Sequence, residues 1–175
     1  MPTSATRRAT RPERATRAAP GRGGEAGAPP RLALSIQIDP GAGPCPADRA
    51  QLRRWAKAAL ARDATLALRV VGETEGRALN RDYRGRDYAT NVLTFAYGEA
   101  DGGGPVQADV VVCLPVVERE ARAQRKSPRD HLAHLVIHGV LHAQGMDHER
   151  ARDAREMEAR EVAVLRRFRI ADPYR

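Results

Sequence analysis

Nothing limits this chain more than the stretch SPRDHLAHLVIHGVLHAQGMDHER, residues 127–150. Ser127 can cap a helix, Pro128 suits the first helical position, and Asp130 stands three residues after the cap. Gly145 suits the position just past a helix end. These signals predict one helix over 128–144. All five histidines of the chain fall within 131–148, four of them on that helix and His148 beyond its end.

Helical residues four apart share a face, with Cβ atoms about 5–6 Å apart, so His134, His138 and His142 form one stripe. They cannot all hold one ion: eight residues at ~1.5 Å rise separate His134 from His142 by about 12 Å, whereas a Zn–N bond is only about 2.0–2.1 Å. One adjacent pair can chelate, and a third ligand must come from outside the helix. Gly145 supplies the reversal and His148 follows three residues later. The geometry selects His138, His142 and His148 as ligands of one ion. Three imidazoles with an open fourth position describe a catalytic site, and zinc is the first expectation, although neutral imidazole also suits Ni, Cu or Fe. His134 is expected behind the ligands, toward substrate or in helix packing, and His131 is expected to be exposed.

The spacing H-x-x-x-H-x-x-G-x-x-H is also met in zinc peptidases, where a glutamate beside the first ligand handles the proton of the attacking water. Here that position is Gly139. The nearest carboxylates in sequence, Asp147 and Glu149, lie past the turn. Amide hydrolysis must protonate a poor leaving group and suffers from the loss of that base. Phosphodiester cleavage asks instead for a metal and for cationic groups that offset charge on phosphoryl oxygens.

The rest of the chain frames this helix. Leu32, Leu34, Ile36 and Ile38 alternate as in a half-buried strand over 32–38. A helix is expected over 48–61, a strand over 65–71 and a short helix over 73–81. Strands over 91–97 and 107–113 flank the Gly-rich GEADGGGP, a hairpin signal. Helices over 115–126 and 150–168 complete an α+β domain at 32–175: a small mixed sheet packed with helices, whose zincin-like metal helix is followed by a turn carrying the third ligand. No stretch approaches the ~20 apolar residues of a membrane span. Two distant cysteines, Cys45 and Cys113, make no disulfide framework, and a reducing, cytoplasmic location is the default. Residues 1–31 hold seven arginines against Glu13 and Glu25, which is +5 of the formal +8. Their composition also suits an organelle-targeting peptide, but the Gly/Pro-rich PGRGGEAGAPPR argues for a disordered basic extension.

A second informative stretch is LNRDYRGRDYATNVLTF, 79–95. Arg81, Arg84 and Arg86 interleave with Tyr83 and Tyr88. Guanidinium offers a planar fork for phosphate oxygens and tyrosines can stack on unpaired bases; a solvated charged loop would have the same composition.

Together these stretches resemble the YbeY family of bacterial rRNA-maturation endoribonucleases. HGVLHAQGMDH (138–148) matches its histidine signature, NRDYRGRDYATNVLTF (80–95) its arginine block, ADVVVC (108–113) a third block with Ala108 for the usual glycine, and MEAREVAVL (157–165) its closing helix. The resemblance covers about 32–170. It implies a hydrolase: a single-strand-specific, metal-dependent endoribonuclease in 16S rRNA 3′-end maturation and ribosome quality control. Its partners would be single-stranded RNA, the 16S rRNA precursor and the ribosome or its small subunit. It also implies one zinc ion on His138, His142 and His148, and Arg84 near the metal as the catalytic arginine on RNA phosphate. A zinc peptidase and a non-catalytic ribosome-assembly RNA-binding module are the competing expectations.

Overall fold

The computed structural model describes residues 28–97, 104–146 and 151–175, with the backbone of 5–8. In chain order come β1 (Ala5–Arg8), β2 (Leu32–Ile38), a 3-10 turn (Pro40–Ala42), α1 (Arg49–Ala58), β3 (Ala64–Val71) and α2 (Glu73–Arg84). They are followed by β4 (Val92–Tyr97), β5 (Val106–Cys113), α3 (Leu114–Ala123), α4 (Pro128–Ala143) and α5 (Ala151–Arg166). The sheet order is β1-β4-β5-β3-β2. β2 and β5 run parallel to β3 on either side of it, and β4 returns antiparallel to β5 with Val92 opposite Val112 and Tyr97 opposite Gln107. This is the expected α+β fold with a mixed sheet and the expected β4–β5 hairpin. No described helix is long and apolar enough to cross a membrane.

Within 1–31, where a disordered basic extension is expected, the described residues include β1. Ala5–Arg8 pair parallel to the outer edge of β4, with Thr6 opposite Thr94. An edge strand presents a row of unpaired N–H and C=O groups, which a short extended segment can satisfy. Residues 1–4 and 9–27 lie outside the described residues.

Alternation along the strands divides the core between the two faces of the sheet. Leu66, Leu68, Val70, Val92, Val110 and Val112 join the larger cluster with α1, α4 and α5. Val71, Leu93, Val111 and Cys113 face the other way, where Leu79 of α2 and Phe95 pack against them. α1 begins with a capping box between Asp48 and Gln51 and buries Leu52 and Trp55.

α4 is the central helix, in contact with α1, α3, α5, β4 and β5. Ser127 caps it by accepting from the Asp130 N–H at 3.3 Å. Eleven of its sixteen residues are buried, as a helix surrounded on several sides requires. Past its end Gly145 adopts φ +90°, where its N–H reaches the His142 carbonyl at 2.9 Å and the Met146 N–H reaches Leu141 at 3.2 Å. Gln144 fastens this end of the helix to α1: its Nε2 donates to the Ala59 carbonyl at 2.9 Å, and its Oε1 accepts from the Ala61 N–H at 2.7 Å.

α2 runs one turn further than the predicted 73–81. Gly85 takes the left-handed φ of +67° that ends it, and buried Asn80 donates to the Tyr88 carbonyl at 2.6 Å, holding the chain that leaves the helix. Tyr83 and Arg84 are therefore helical residues rather than loop residues.

Candidate metal centre

Along α4 the imidazole rings of His131 and His134 lie 6.2 Å apart, those of His134 and His138 6.1 Å, and those of His138 and His142 4.5 Å. The last pair is the tightest, as the four-residue spacing allows on one face. His142 is buried, at 3% exposure, whereas the side chains of His134 and His138 are 14% and 12% exposed. His148, the third expected ligand, lies outside the described residues, as do Asp147 and Glu149.

Behind the histidines stands a residue that motif reading missed. Glu161 of α5 is 0% exposed. Its Oε1 accepts from His138 Nδ1 at 2.5 Å. Its Oε2 meets His134 Nε2 at 3.0 Å and also accepts a short hydrogen bond from the Tyr174 hydroxyl. Burial works against the charged form of Glu161, but the hydrogen bonds from His134 and His138 outweigh it and hold the carboxyl well below its usual range. Burial first, and then the Glu161 charge and hydrogen bond, push the Tyr174 hydroxyl well above its usual range, so it is the proton donor. The signal for Glu161 was present in the sequence. It shares an α5 face with Met157, Val164 and Leu165, at offsets of minus four, plus three and plus four, and a carboxylate on an apolar stripe requires buried partners.

His134, His138 and Glu161 bring three ligand-type atoms within 4.8 Å of one another, a grouping that could hold a metal ion. Between two of these residues, His138 Nδ1 and Glu161 Oε1 stand 2.5 Å apart. Ligand atoms at about 2.0–2.1 Å from a tetrahedral ion stand roughly 3.3 Å apart, so the shorter distance is that of a shared proton. Carboxylate bonding of one histidine nitrogen behind a metal site is the usual device for aiming the other nitrogen at the ion. With Nδ1 bonded to Glu161, His138 keeps Nε2 as a nitrogen that could serve an ion, and the His142 ring lies beside it.

Gly139 does not face this centre. A Cβ there would stand 2.6 Å from Val110 Cγ1, 3.3 Å from Thr94 Oγ1 and 3.3 Å from Val92 Cγ2. The Thr94 hydroxyl donates to the Gly139 carbonyl at 3.2 Å. Packing thus accounts for the glycine: a side chain at this position would press on β4 and β5 unless Val110, Thr94 and Val92 shift.

His131 corrects an expectation. It is 3% exposed rather than solvated. Its Nε2 meets Glu120 at 2.8 Å, and Glu120 also accepts from Asn91 Nδ2 at 3.2 and 3.1 Å. Burial raises the Glu120 pKa, but hydrogen bonds from His131 and Asn91 overcome it and leave the carboxyl below its usual range. This cluster ties the start of α4 to α3 and to the entry of β4.

Arg84 closes α2, and its Nη1 donates to Asn80 Oδ1 at 3.3 Å. Burial lowers its proton affinity, with Tyr88 opposing and Arg86 reinforcing; a guanidinium remains charged regardless. Neighbouring Tyr83 packs edge-on against Phe95, ring centroids 4.9 Å apart. Phe95 and Thr94 are consecutive in β4 and point to opposite faces. α2, which carries Tyr83, therefore packs on the face of the sheet opposite to α4.

An α+β protein with paired histidines on a buried helix, backed by a buried carboxylate, is the class that this fold and site define. The family model described as Endoribonuclease YbeY matches residues 47–169. The Endoribonuclease YbeY of Cupriavidus metallidurans is 53% identical over 149 residues, 84% of this chain and 75% of that protein. That of Thiobacillus denitrificans is 53% identical over 145 residues, covering 83% and 97%. The solution structure of TM1509 from Thermotoga maritima superposes with a TM-score of 0.52 at 28% identity, covering 75% of this chain and 86% of that one. The chain belongs to the endoribonuclease YbeY family.

Proposed function

We propose that this protein is a zinc-dependent endoribonuclease that cuts single-stranded RNA during 16S rRNA 3′-end maturation in the cytoplasm, within residues 32–175, with His138, His142 and His148 as ligands and Arg84 on the scissile phosphate. The observation that carries the metal assignment is the 2.5 Å hydrogen bond from His138 Nδ1 to Glu161. It commits that nitrogen to a proton and gives the lone pair to Nε2. The 4.5 Å approach of the His138 and His142 rings supports the second ligand.

When bound, zinc would supply a Lewis acid for a phosphoryl oxygen. The chain's own residues do the rest. Glu161 holds the His138 tautomer, Gln144 and Gly145 fix the end of α4 from which the ligand turn departs, and Arg84 offsets charge developing on the phosphate. Asn80 steadies Arg84 from within the helix. RNA brings its own 2′-OH as one nucleophile, with water as the other. A 2′,3′-cyclic phosphate product would assign the first.

The proximity of His134, His138 and Glu161 favours a second reading, in which those three hold the ion. His142→Ala separates the two, since it removes zinc binding only if His142 is a ligand. Purified protein is incubated with a structured rRNA precursor, with and without chelator, beside His138→Ala and Arg84→Ala, and product ends are mapped. Chelator and His138→Ala should abolish cleavage, and Arg84→Ala should reduce it by about 10²–10³-fold while zinc stays bound. Proteolysis by metal-loaded protein, lost in His138→Ala, would support a peptidase instead. RNA binding without cutting would support an assembly module.

A further inference from the structure

We propose that Tyr174, acting through Glu161, is a positioning residue of the metal centre, so that the tail after α5 is a working part of the site rather than a trailing end. This inference rests on the assignment of His138 as a ligand. Glu161 works as a fork: Oε1 serves His138 Nδ1 at 2.5 Å, and Oε2 serves His134 Nε2 at 3.0 Å together with the Tyr174 hydroxyl. An ionised carboxylate can only accept, so its orientation is set by where its donors stand. Two of these lie on α4 and the third arrives from the tail. Without the tyrosine hydroxyl the carboxylate would keep its two α4 donors but lose the one from the tail, and its orientation toward His138 would be less closely set.

The tail is built to deliver that hydroxyl. Ile170 anchors it in the core at 6% exposure. Lys126 Nζ, from the α3–α4 connection, donates to the Pro173 carbonyl at 2.7 Å, and the Tyr174 N–H donates to Asp172 Oδ1 at 2.9 Å. The Tyr174 ring stands edge-on to His134 with centroids 5.6 Å apart. Tyr174 remains 46% exposed, so it contributes little as an apolar anchor. What distinguishes it is a hydroxyl aimed at a carboxylate that no solvent reaches.

The test uses the full chain with ¹⁵N-labelled imidazoles and zinc alone as the probe, titrated against a competing chelator. Wild-type apo-protein should show His138 protonated at Nδ1. Tyr174→Phe keeps the ring and removes the hydroxyl. It should give a mixed His138 tautomer and about tenfold weaker zinc binding, the lower end of the range for losing a partner behind a ligand, with the apo-protein melting within a few degrees of wild type. An Nε2-protonated His138 in the wild type overturns the proposal, as does an unchanged tautomer and zinc affinity in Tyr174→Phe. A Tyr174→Phe chain that does not fold assigns the hydroxyl to stability and overturns it too. His138→Ala tests the underlying ligand assignment. If it binds zinc like wild type, the assignment and the proposal fall together. If it loses zinc while Tyr174→Phe does not, only the role of the tail falls.

Discussion

Replacing Gly139 with alanine asks whether the missing glutamate of the peptidase spacing is a matter of packing. In a helix interior the change should stabilise by up to about 1 kcal/mol, because glycine is the poorer helix former. Here the new methyl would sit 2.6 Å from Val110 Cγ1, against the ~3.5–4.0 Å of an ordinary carbon contact. It would also press on Thr94 Oγ1 and Val92 Cγ2 at 3.3 Å each. Overpacking a well-filled core costs about 1–3 kcal/mol, and a helix lying directly on two strands has little room to yield. The clash should exceed the propensity gain and leave a net loss of about 1–2 kcal/mol. For a domain of this size that is a drop of about 3–6 °C in melting temperature, measured by calorimetry on metal-free protein. Val110→Ala should partly relieve it, so the double variant should be more stable than the two single losses added together. Gly139→Glu should be far worse and should confer no peptidase activity. An alanine variant as stable as wild type, or more so, would refute the packing account and restore Gly139 as a chemical choice.

Asn80→Ala removes a fully buried amide that holds both the Tyr88 carbonyl and Arg84; urea unfolding should show a loss of about 1–3 kcal/mol, and RNA cleavage should fall while zinc affinity is kept. Glu120 has a folded pKa below its ordinary value. Its contribution to stability is therefore complete above its unfolded pKa of about 4.3 and is lost as pH falls through the lower folded value. Glu120→Gln should flatten the acid limb of a stability–pH profile between roughly pH 5 and 3, and an unchanged slope there would disconnect Glu120 from acid unfolding. Deleting residues 1–27 removes β1 from the edge of β4 and should lower the melting temperature of the domain, read by calorimetry. It should also reduce the salt dependence of RNA binding, because the arginines of that stretch add phosphate contacts; an unchanged slope would mark the extension as passive.

Much of this molecule is legible in its sequence because the governing physics is local. Alternation at Leu32, Leu34, Ile36 and Ile38 specifies β2, and the Gly-rich run after Tyr97 specifies a hairpin. Ser127, Pro128 and Gly145 bound α4 to within a residue. The four-residue spacing of His138 and His142 suffices to place them on one face, since it follows from the helical repeat alone. A helix signal weakens where the stop depends on contacts beyond the helix. The pattern of α2 therefore predicts an end at 81, whereas the helix runs to Arg84, held by the Asn80–Tyr88 bond. His131 reads as a solvent-facing residue because its partner, Glu120, belongs to another helix, 11 residues away along the chain.

The residue types able to bind a metal, and their presentation by one helix at chelating intervals, can be read without the fold, because helical periodicity is a property of the backbone. What stands around that helix follows from tertiary packing. That packing buried Glu161 behind His138 and brought Tyr174 in to complete the carboxylate. It also seated Gly139 against Val110 and put α2 and α4 on opposite faces of the sheet. Those relations depend on how α5, the tail and the sheet pack on α4. Packing joins residues of arbitrary sequence separation, so no local spacing encodes it.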